Sequence, residues 1–370
     1  MPVLSFPPAV SLLAALQRVS PVPPLRTFLR TTEERFNPPR PSPHAPQVRR
    51  AQDAILAGGA AGPHQLATLI REAGRGRTPT IVLGGFVPDS TEQVFLLRRF
   101  LLRAGDLYCL NYPRHGFSLD LCCAQLEDLV EELAGQGQPP VIFSVSFGGG
   151  LLLEWLRRAR AAGRSPALAG TVLVSPVACV ADLIAPGAPK PATLLGRALK
   201  PFLDAAGAIP ADTVEKSRTL LARMFEAGAQ NKAALRQLMT PAELTRLHGA
   251  VEGTIRGITG AGARERVLAL GAMQVPPTYF LPGLLPLSAA PALILYAERE
   301  DTVLDAGSPT RFALAGAPRA YFPAGRVQVV ANPSGPPVPH ASLIFHASCF
   351  LPPLAAFYPR SKTGKLRAAA

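Results

Sequence analysis

Cysteine, aromatic residues and charge are all scarce in this chain. Its 370 residues include five cysteines, 6% aromatic residues and 17% charged residues. Five cysteines, two of them adjacent (Cys122, Cys123) and none in a C-x-x-C pair, exclude a disulfide framework. No histidine joins them at ligand spacing, which argues against zinc. Reduced thiols in a cytoplasmic protein are expected. A hydrophobic fraction of 48% beside so little charge excludes a disordered, charge-driven chain. Acidic residues are the scarcer sign, 25 against 38 basic, for a net charge of +13. Such an excess raises nucleic acid as a partner. Arginine, however, is spread along the chain with few aromatics beside it, and no helix-turn-helix, zinc-finger or RNP pattern occurs. The reading is no nucleic acid partner, with a basic surface suited to anionic lipid or acidic partners.

A long unbroken apolar run is also missing. Residues 1–17 carry no charged side chain, yet Pro2, Pro7 and Pro8 shorten any helix there below bilayer length. The segment also lacks the basic start and cleavage site of a secretory signal. Val267–Ala297 is uncharged but broken by prolines at 276, 277, 282, 286 and 291. No transmembrane segment is expected; peripheral membrane contact through the N-terminal apolar segment stays open.

Glycine (32) and proline (40) are abundant, without the three-residue period of collagen, and fall between apolar runs and at the ends. Residues 1–45 read as a proline-rich arm, and 361–370 as a basic tail. Residues 47–75 read as helical, over Gln47–Leu56 and His64–Ala73. From residue 80 the texture changes to short apolar runs alternating with longer amphipathic ones. Strands are expected at Thr80–Leu83, Leu107–Tyr112, Val141–Ser146 and Gly170–Val177. Helices are expected at Val94–Leu102, opened by a Ser90/Gln93 capping box, at Leu121–Ala134 and at Phe147–Ala162. Strands alternating with helices of ten or more residues indicate a parallel sheet with crossover helices. Their continuous apolarity indicates two covered faces. The fold class is therefore α/β. The rhythm stops near residue 180 and resumes at Ala292–Ala297. The hundred residues between carry helical patterning at Val214–Ala227, Lys232–Met239 and Pro241–Ile258, the last opened by a Thr240/Glu243 capping box. A helix near 309–315, a strand at Arg326–Ala331 and a helix from Ala341 onward complete the chain. The division expected is a core over 46–180 and 289–360 with a helical block over 181–288.

The chemistry concentrates at Val141-Ile-Phe-Ser-Val-Ser146-Phe-Gly-Gly-Gly150. A buried strand runs into Ser146, then into glycines and an apolar helix. A serine on such a corner sits in a strained turn and needs small residues two before and two after it, here Ser144 and Gly148. Its hydroxyl is then exposed at the sheet edge, at a helix N-terminus whose dipole favours developing negative charge. A nucleophile of this kind needs a base and an orienting acid. The strand Ala292–Ala297 runs into Glu298-Arg-Glu300-Asp301-Thr-Val303, and the last strand is followed by Pro337-Val-Pro-His340. The order Ser146, acid, His340 is the required one. His346, six residues on, reads as a packed histidine.

These motifs resemble those of the α/β-hydrolases over roughly residues 78–360. They are similar in particular to the capped serine hydrolases that include monoglyceride lipases, lysophospholipase-like enzymes and serine aminopeptidases. Gly84-Gly85-Phe86 stands where that family has His-Gly-x. Asn111-Tyr-Pro-Arg-His-Gly-Phe-Ser118 resembles its D-x-R-G-x-G-x-S loop, so His115 shapes a turn. The helical block falls where the family carries its cap. The resemblance implies a mostly parallel sheet flanked by helices, a triad of Ser146, His340 and either Glu300 or Asp301, and oxyanion amides from Phe86 and Phe147. Ungapped spacing favours Glu300 and residue type favours Asp301, with Asp305 a further choice. Ser144 and Gly84 depart from the family's glycine and histidine.

The activity implied is hydrolysis of a carboxylic ester, acyl transfer to water through a serine ester, with no cofactor or metal. Leu, Ala, Pro and Phe in Ala185–Leu203 and Tyr279–Leu287 suggest an apolar pocket, hence a small-molecule ester with an apolar acyl or alcohol part. An acyltransferase using the same groups remains an alternative, as does a catalytically silent binding protein of this fold. A peptidase would need clustered carboxylates in the cap, where Glu215, Glu226, Glu243 and Glu252 are instead spaced apart.

Overall fold

The computed structural model describes residues 41–205, 207–228, 235 and 238–358. Eight strands form one sheet: β1 (Ser42–Pro43), β2 (Thr68–Glu72), β3 (Thr80–Leu83), β4 (Leu107–Asn111), β5 (Val141–Val145), β6 (Gly170–Val174), β7 (Ala292–Ala297) and β8 (Gly325–Val330). Their spatial order is β1-β2-β4-β3-β5-β6-β7-β8. β3 to β8 run parallel, while β1 and β2 pair antiparallel at one edge.

Every residue of β3, β5, β6 and β7 is buried. Side chains alternate across the sheet, so each strand feeds two cores. Ile81, Leu83, Ile142 and Leu173 face one core with Leu129 of α4 (Leu119–Gly135) and Leu152 of α5 (Phe147–Ala161). Val82, Phe143 and Val172 face the other with Leu101 of α3 (Arg98–Ala104) and Phe350 of α12 (Ala347–Phe357). Full burial of each such side chain contributes roughly 1.5–3 kcal/mol.

Several expectations are corrected. Where a helix was expected over His64–Ala73, only a 3-10 turn at Pro63–Gln65 and then β2 occur. Leu66, Leu69, Ile70 and Ala73 fit a helical period, but register along β4 decides: Leu69 opposes Leu110 and Ile70 opposes Cys109. Polar residues hold this edge, Arg71 bonding Asp106 through Nη2 at 2.7 Å and Arg98 bonding Glu72. The far end of the N-terminal arm joins the same edge as β1; residues 1–40 lie outside the described residues, as does the tail beyond 358. Asp89, not Ser90, caps α2 (Ser90–Gln93), with Glu92 closing the box. The Ser90 hydroxyl instead donates to the Leu110 carbonyl at 2.9 Å. The final helix begins at Ala347 rather than Ala341, because Ala341 sits at φ 47° and cannot open a right-handed helix.

Between β6 and β7 lie α6 (Leu194–Asp204), α7 (Ala211–Gly228), α8 (Pro241–Gly257) and α9 (Gly260–Ala272). Thr240 and Glu243 cap α8 as expected, while most of Lys232–Met239 falls outside the described residues. Helices α6 and α9 were not expected. Pro201 interrupts the first, and three glycines dilute the second. Among the described residues no helix is long and apolar enough to cross a membrane.

The start of this insertion is tied to the segment after β7 by Asp182, which is fully buried. Its carboxylate accepts from the Ala178 amide at 2.8 Å and the Cys179 amide at 3.1 Å on one side. On the other it accepts from the Ser308 hydroxyl (2.7 Å), the Thr310 amide (3.0 Å) and the Thr310 hydroxyl (2.7 Å). Replacing Asp182 by alanine leaves those buried donors unpaired. Asp182→Ala is expected to lower unfolding free energy by about 3 kcal/mol, read from the midpoint of urea denaturation; an unmoved midpoint would contradict this account.

Candidate active site

The site begins at the corner between β5 and α5. Ser146 occupies it at φ 50° and ψ −113°, a conformation that costs a non-glycine residue about 1–3 kcal/mol. The surroundings hold it there. Its amide donates to the Val174 carbonyl at 2.8 Å, and its carbonyl accepts from Gly149 (2.8 Å) and Val177 (3.0 Å). Two positions on, a Cβ at Gly148 would lie 2.4 Å from the Leu83 carbonyl oxygen and 2.5 Å from that of Gly84. Only glycine lets α5 start this close to β3. Two positions earlier, Ser144 is fully buried and donates to the Val172 carbonyl at 2.9 Å. Its hydroxyl therefore has a partner where a glycine would have needed none.

The loop after β7 delivers a carboxylate and the loop after β8 an imidazole. Glu300, 1% exposed, accepts at Oε1 from the Ala297 amide and the Ser175 hydroxyl, both at 2.6 Å. Its Oε2 lies 2.5 Å from His340 Nδ1, and His340 Nε2 lies 2.9 Å from Ser146 Oγ. Main-chain bonds fix the imidazole: the His340 amide donates to the Arg299 carbonyl at 3.2 Å, and Arg299 donates to Val338 at 3.0 Å. Burial would push the Glu300 carboxyl up, but His340, Ser175 and the Ala297 amide outweigh it and hold the group below the ordinary carboxylate range. An ionised Glu300 can only accept, so the imidazole proton sits on Nδ1 and Nε2 is free to accept from Ser146.

Of the acids left open by the sequence, Asp301 is not brought to His340. Its side chain is exposed and takes both Nε and Nη2 of Arg299 at 2.8 and 2.9 Å, which holds its carboxyl below the usual range. Adjacent residues in the turn Glu300–Thr302 point apart, and the first of them faces inward. Asp305 accepts from the Gly307 amide within its own turn. His346 is buried and bonds Ser342 at 2.9 Å, with burial pushing its imidazole down. His115 is exposed in the turn after β4.

The turn that carries Phe86 and the first residue of α5, Phe147, flank the serine. A Cβ at Gly85 would stand 3.5 Å from Ser146 Cβ, so the turn after β3 lies directly against the serine. The Phe86 and Phe147 rings meet edge to face at 5.9 Å. Among the described residues neither amide has a backbone acceptor outside regular elements. The sequence did not point to two residues that hold this turn. Gln93 accepts from the Gly85 amide at 2.9 Å and donates to the Val87 carbonyl at 3.3 Å. Arg266 of α9 donates to the Phe86 carbonyl at 2.6 Å. The one sequence signal for the second was its place as the last charge before the uncharged run Val267–Ala297.

A cavity of about 410 Å³ opens on Ser146 and His340. Leu194 and Leu195 of α6, Leu221, Met224 and Phe225 of α7, and Ile255 of α8 line it, with Ile344 and Phe345 from the loop after His340. Among the described residues no cluster of His, Cys, Asp or Glu could hold a metal ion.

No family model matches the chain, and no curated protein matches it. Solved structures do. An esterase from Exiguobacterium antarcticum is similar at 14% identity with a TM-score of 0.52, over 79% of this chain and 96% of that one. A thermophilic esterase from Thermogutta terrifontis is similar at 14% identity and a TM-score of 0.50, over 79% and 95%. A hydrolase from Pseudomonas aeruginosa gives 15% identity and 0.50, over 79% and 94%. At such identities the likeness is one of architecture, and it agrees with the strand order and the serine corner described above: the chain has the α/β-hydrolase fold.

Proposed function

We propose that the chain is a serine hydrolase that cleaves a carboxylic ester with an apolar acyl or alcohol part. The observation that carries this reading is the hydrogen-bonded chain from Ser146 Oγ through His340 to buried Glu300, at 2.9 and 2.5 Å. His340 Nε2 takes the Ser146 proton as Oγ attacks the ester carbonyl. The Phe86 and Phe147 amides receive the oxyanion, with the N-terminal dipole of α5 behind it. Collapse of the tetrahedral intermediate expels the alcohol, protonated by His340. Water, deprotonated by the same imidazole, then releases the acid and restores Ser146. Glu300 stays ionised throughout, holding the imidazole tautomer and stabilising the imidazolium. The leucines, Met224 and Phe225 that line the cavity favour an apolar substrate portion over a charged one.

A fluorophosphonate tests the nucleophile. One adduct, formed with loss of fluoride, is expected in the intact mass of the wild-type protein and not in Ser146→Ala, whose p-nitrophenyl ester turnover should fall by roughly 10⁴-fold or more. No adduct on folded wild type would overturn the hydrolase reading. Adduct and turnover in Ser146→Ala would show that another serine acts. If an alcohol far more dilute than water takes most of the acyl group and raises total turnover, water is not the preferred acceptor and the acyltransferase reading takes over.

A second comparison tests the acid. Glu300→Gln is expected to lower kcat roughly 10³- to 10⁴-fold, because the amide no longer fixes the Nδ1–H tautomer. Asp301→Asn should stay within about twofold of wild type, since its loss removes only an exposed ion pair. The reverse pattern would transfer the role to Asp301.

A further inference from the structure

Arg266 is a fully enclosed side chain, 2% exposed. A guanidinium is costly to bury and is usually matched by a carboxylate. Here no carboxylate among the described residues bonds it. Its partners are three main-chain carbonyls: Nη1 donates to Phe86 at 2.6 Å, and Nη2 to Tyr112 at 3.2 Å and Pro113 at 3.0 Å. The Phe86 and Tyr112 rings lie 5.7 and 5.5 Å from the guanidinium carbon. Its Nε is buried with no partner. Burial lowers the group to about 10, which still leaves it charged at neutral pH.

The position of these bonds matters more than their number. In the turn Gly84–Val87 four main-chain groups are held from outside. The Tyr112 hydroxyl donates to the Gly84 carbonyl at 3.0 Å, Gln93 takes the Gly85 amide and donates to the Val87 carbonyl, and Arg266 takes the Phe86 carbonyl. The Phe86 N–H lies in the middle of this harness, without a backbone acceptor among the described residues. It lies in the Gly85–Phe86 peptide plane, whose tilt is limited by the next plane through the Phe86 Cα, and the carbonyl of that next plane is held by Arg266. The planar fork also joins two separate loops, the one after β3 and the one after β4, with a nitrogen for each; the one compact ammonium of a lysine has three N–H donors but no such fork.

We propose that Arg266 is a positioning residue for the oxyanion: by clamping the Phe86 carbonyl from behind, it aims the Phe86 amide at the carbonyl oxygen of the bound ester. This inference rests on the serine-hydrolase reading above. It links the helical insertion, through α9, to the geometry of the reacting centre. A purely structural Arg266 would alter how much protein folds without altering the rate of each folded site.

The test uses full-length Arg266→Met and Arg266→Lys beside wild type. Competent sites are counted by the completed fluorophosphonate mass shift, and p-nitrophenyl ester kinetics are expressed per competent site. Loss of one oxyanion donor costs about 10²- to 10³-fold, so a misaimed one should cost less. The expected result is a kcat per site lower by roughly 10- to 100-fold in Arg266→Met and less in Arg266→Lys, with KM within about twofold. If Arg266→Met does not fold, Arg266→Lys decides, since it keeps the charge and one donor nitrogen but not the fork. A wild-type kcat per site in a folded variant, with any loss confined to the fraction of competent protein, overturns the positioning role alone. Failure of wild type to form the adduct overturns the hydrolase reading and this inference with it.

Discussion

Ser146 is held at φ 50° between β5 and α5, and most of the site is arranged around keeping it there. A left-handed turn at a serine is not self-sustaining. It persists because β5 is clamped between β3 and β6, because Val174 and Val177 take up the backbone of the turn, and because Gly148 allows α5 to start against the Leu83 and Gly84 carbonyls. The same close approach brings the turn after β3 against the serine, and with it the Phe86 amide. Hydroxyl, helix dipole and the amides proposed to receive the oxyanion therefore come from one packing constraint rather than from separate devices.

Around this corner two buried charges are handled in opposite ways. Glu300 is ionised and surrounded by donors: the Ala297 amide, the Ser175 hydroxyl and His340. Its lowered proton affinity depends on all of them, because burial alone would raise it. Arg266 is cationic and surrounded by carbonyl oxygens and aromatic faces. One charge fixes the imidazole in front of the serine, and the other grips the main chain behind Phe86. Oriented peptide dipoles contribute in both cases, beside the His340 imidazole at Glu300 and the Asp89 carboxylate, which favours charged Arg266 without bonding it.

The insertion between β6 and β7 both roofs the cavity and reaches beneath it. Helices α6, α7 and α8 supply leucine, methionine, phenylalanine and isoleucine side chains above Ser146, while α9 carries Arg266 into the core. Asp182 ties the insertion's departure to the segment between β7 and β8, bonding amides at 178–179 and hydroxyls at 308 and 310. The Asp305 amide donates to the Asp182 carbonyl at 2.7 Å, so this clamp also borders the turn that presents Glu300.

The parallel sheet was legible in the residues alone, because strands buried on both faces must be apolar throughout and crossover helices must be amphipathic. So was the chain order of Ser146, acid and His340, since each follows the C-terminal end of a recognisable strand. Local pattern could not determine β2, whose residues fit either period until β4 selects the strand. Nor could it find α6 and α9, where proline and glycine weaken the helical signal and packing restores it. Glu300 and Asp301 are chemically near-equivalent neighbours, and only the turn that sends one inward to Ser175 and His340, and the other outward to Arg299, separates them. Arg266 lies 180 residues along the chain from Phe86. The sequence by itself determined the sheet and the corner at Ser146, because those are local consequences of burial and backbone geometry. The tertiary structure alone decided which carboxylate meets His340, the pocket and the harness on the turn Gly84–Val87, because each depends on contacts between segments that no local pattern records.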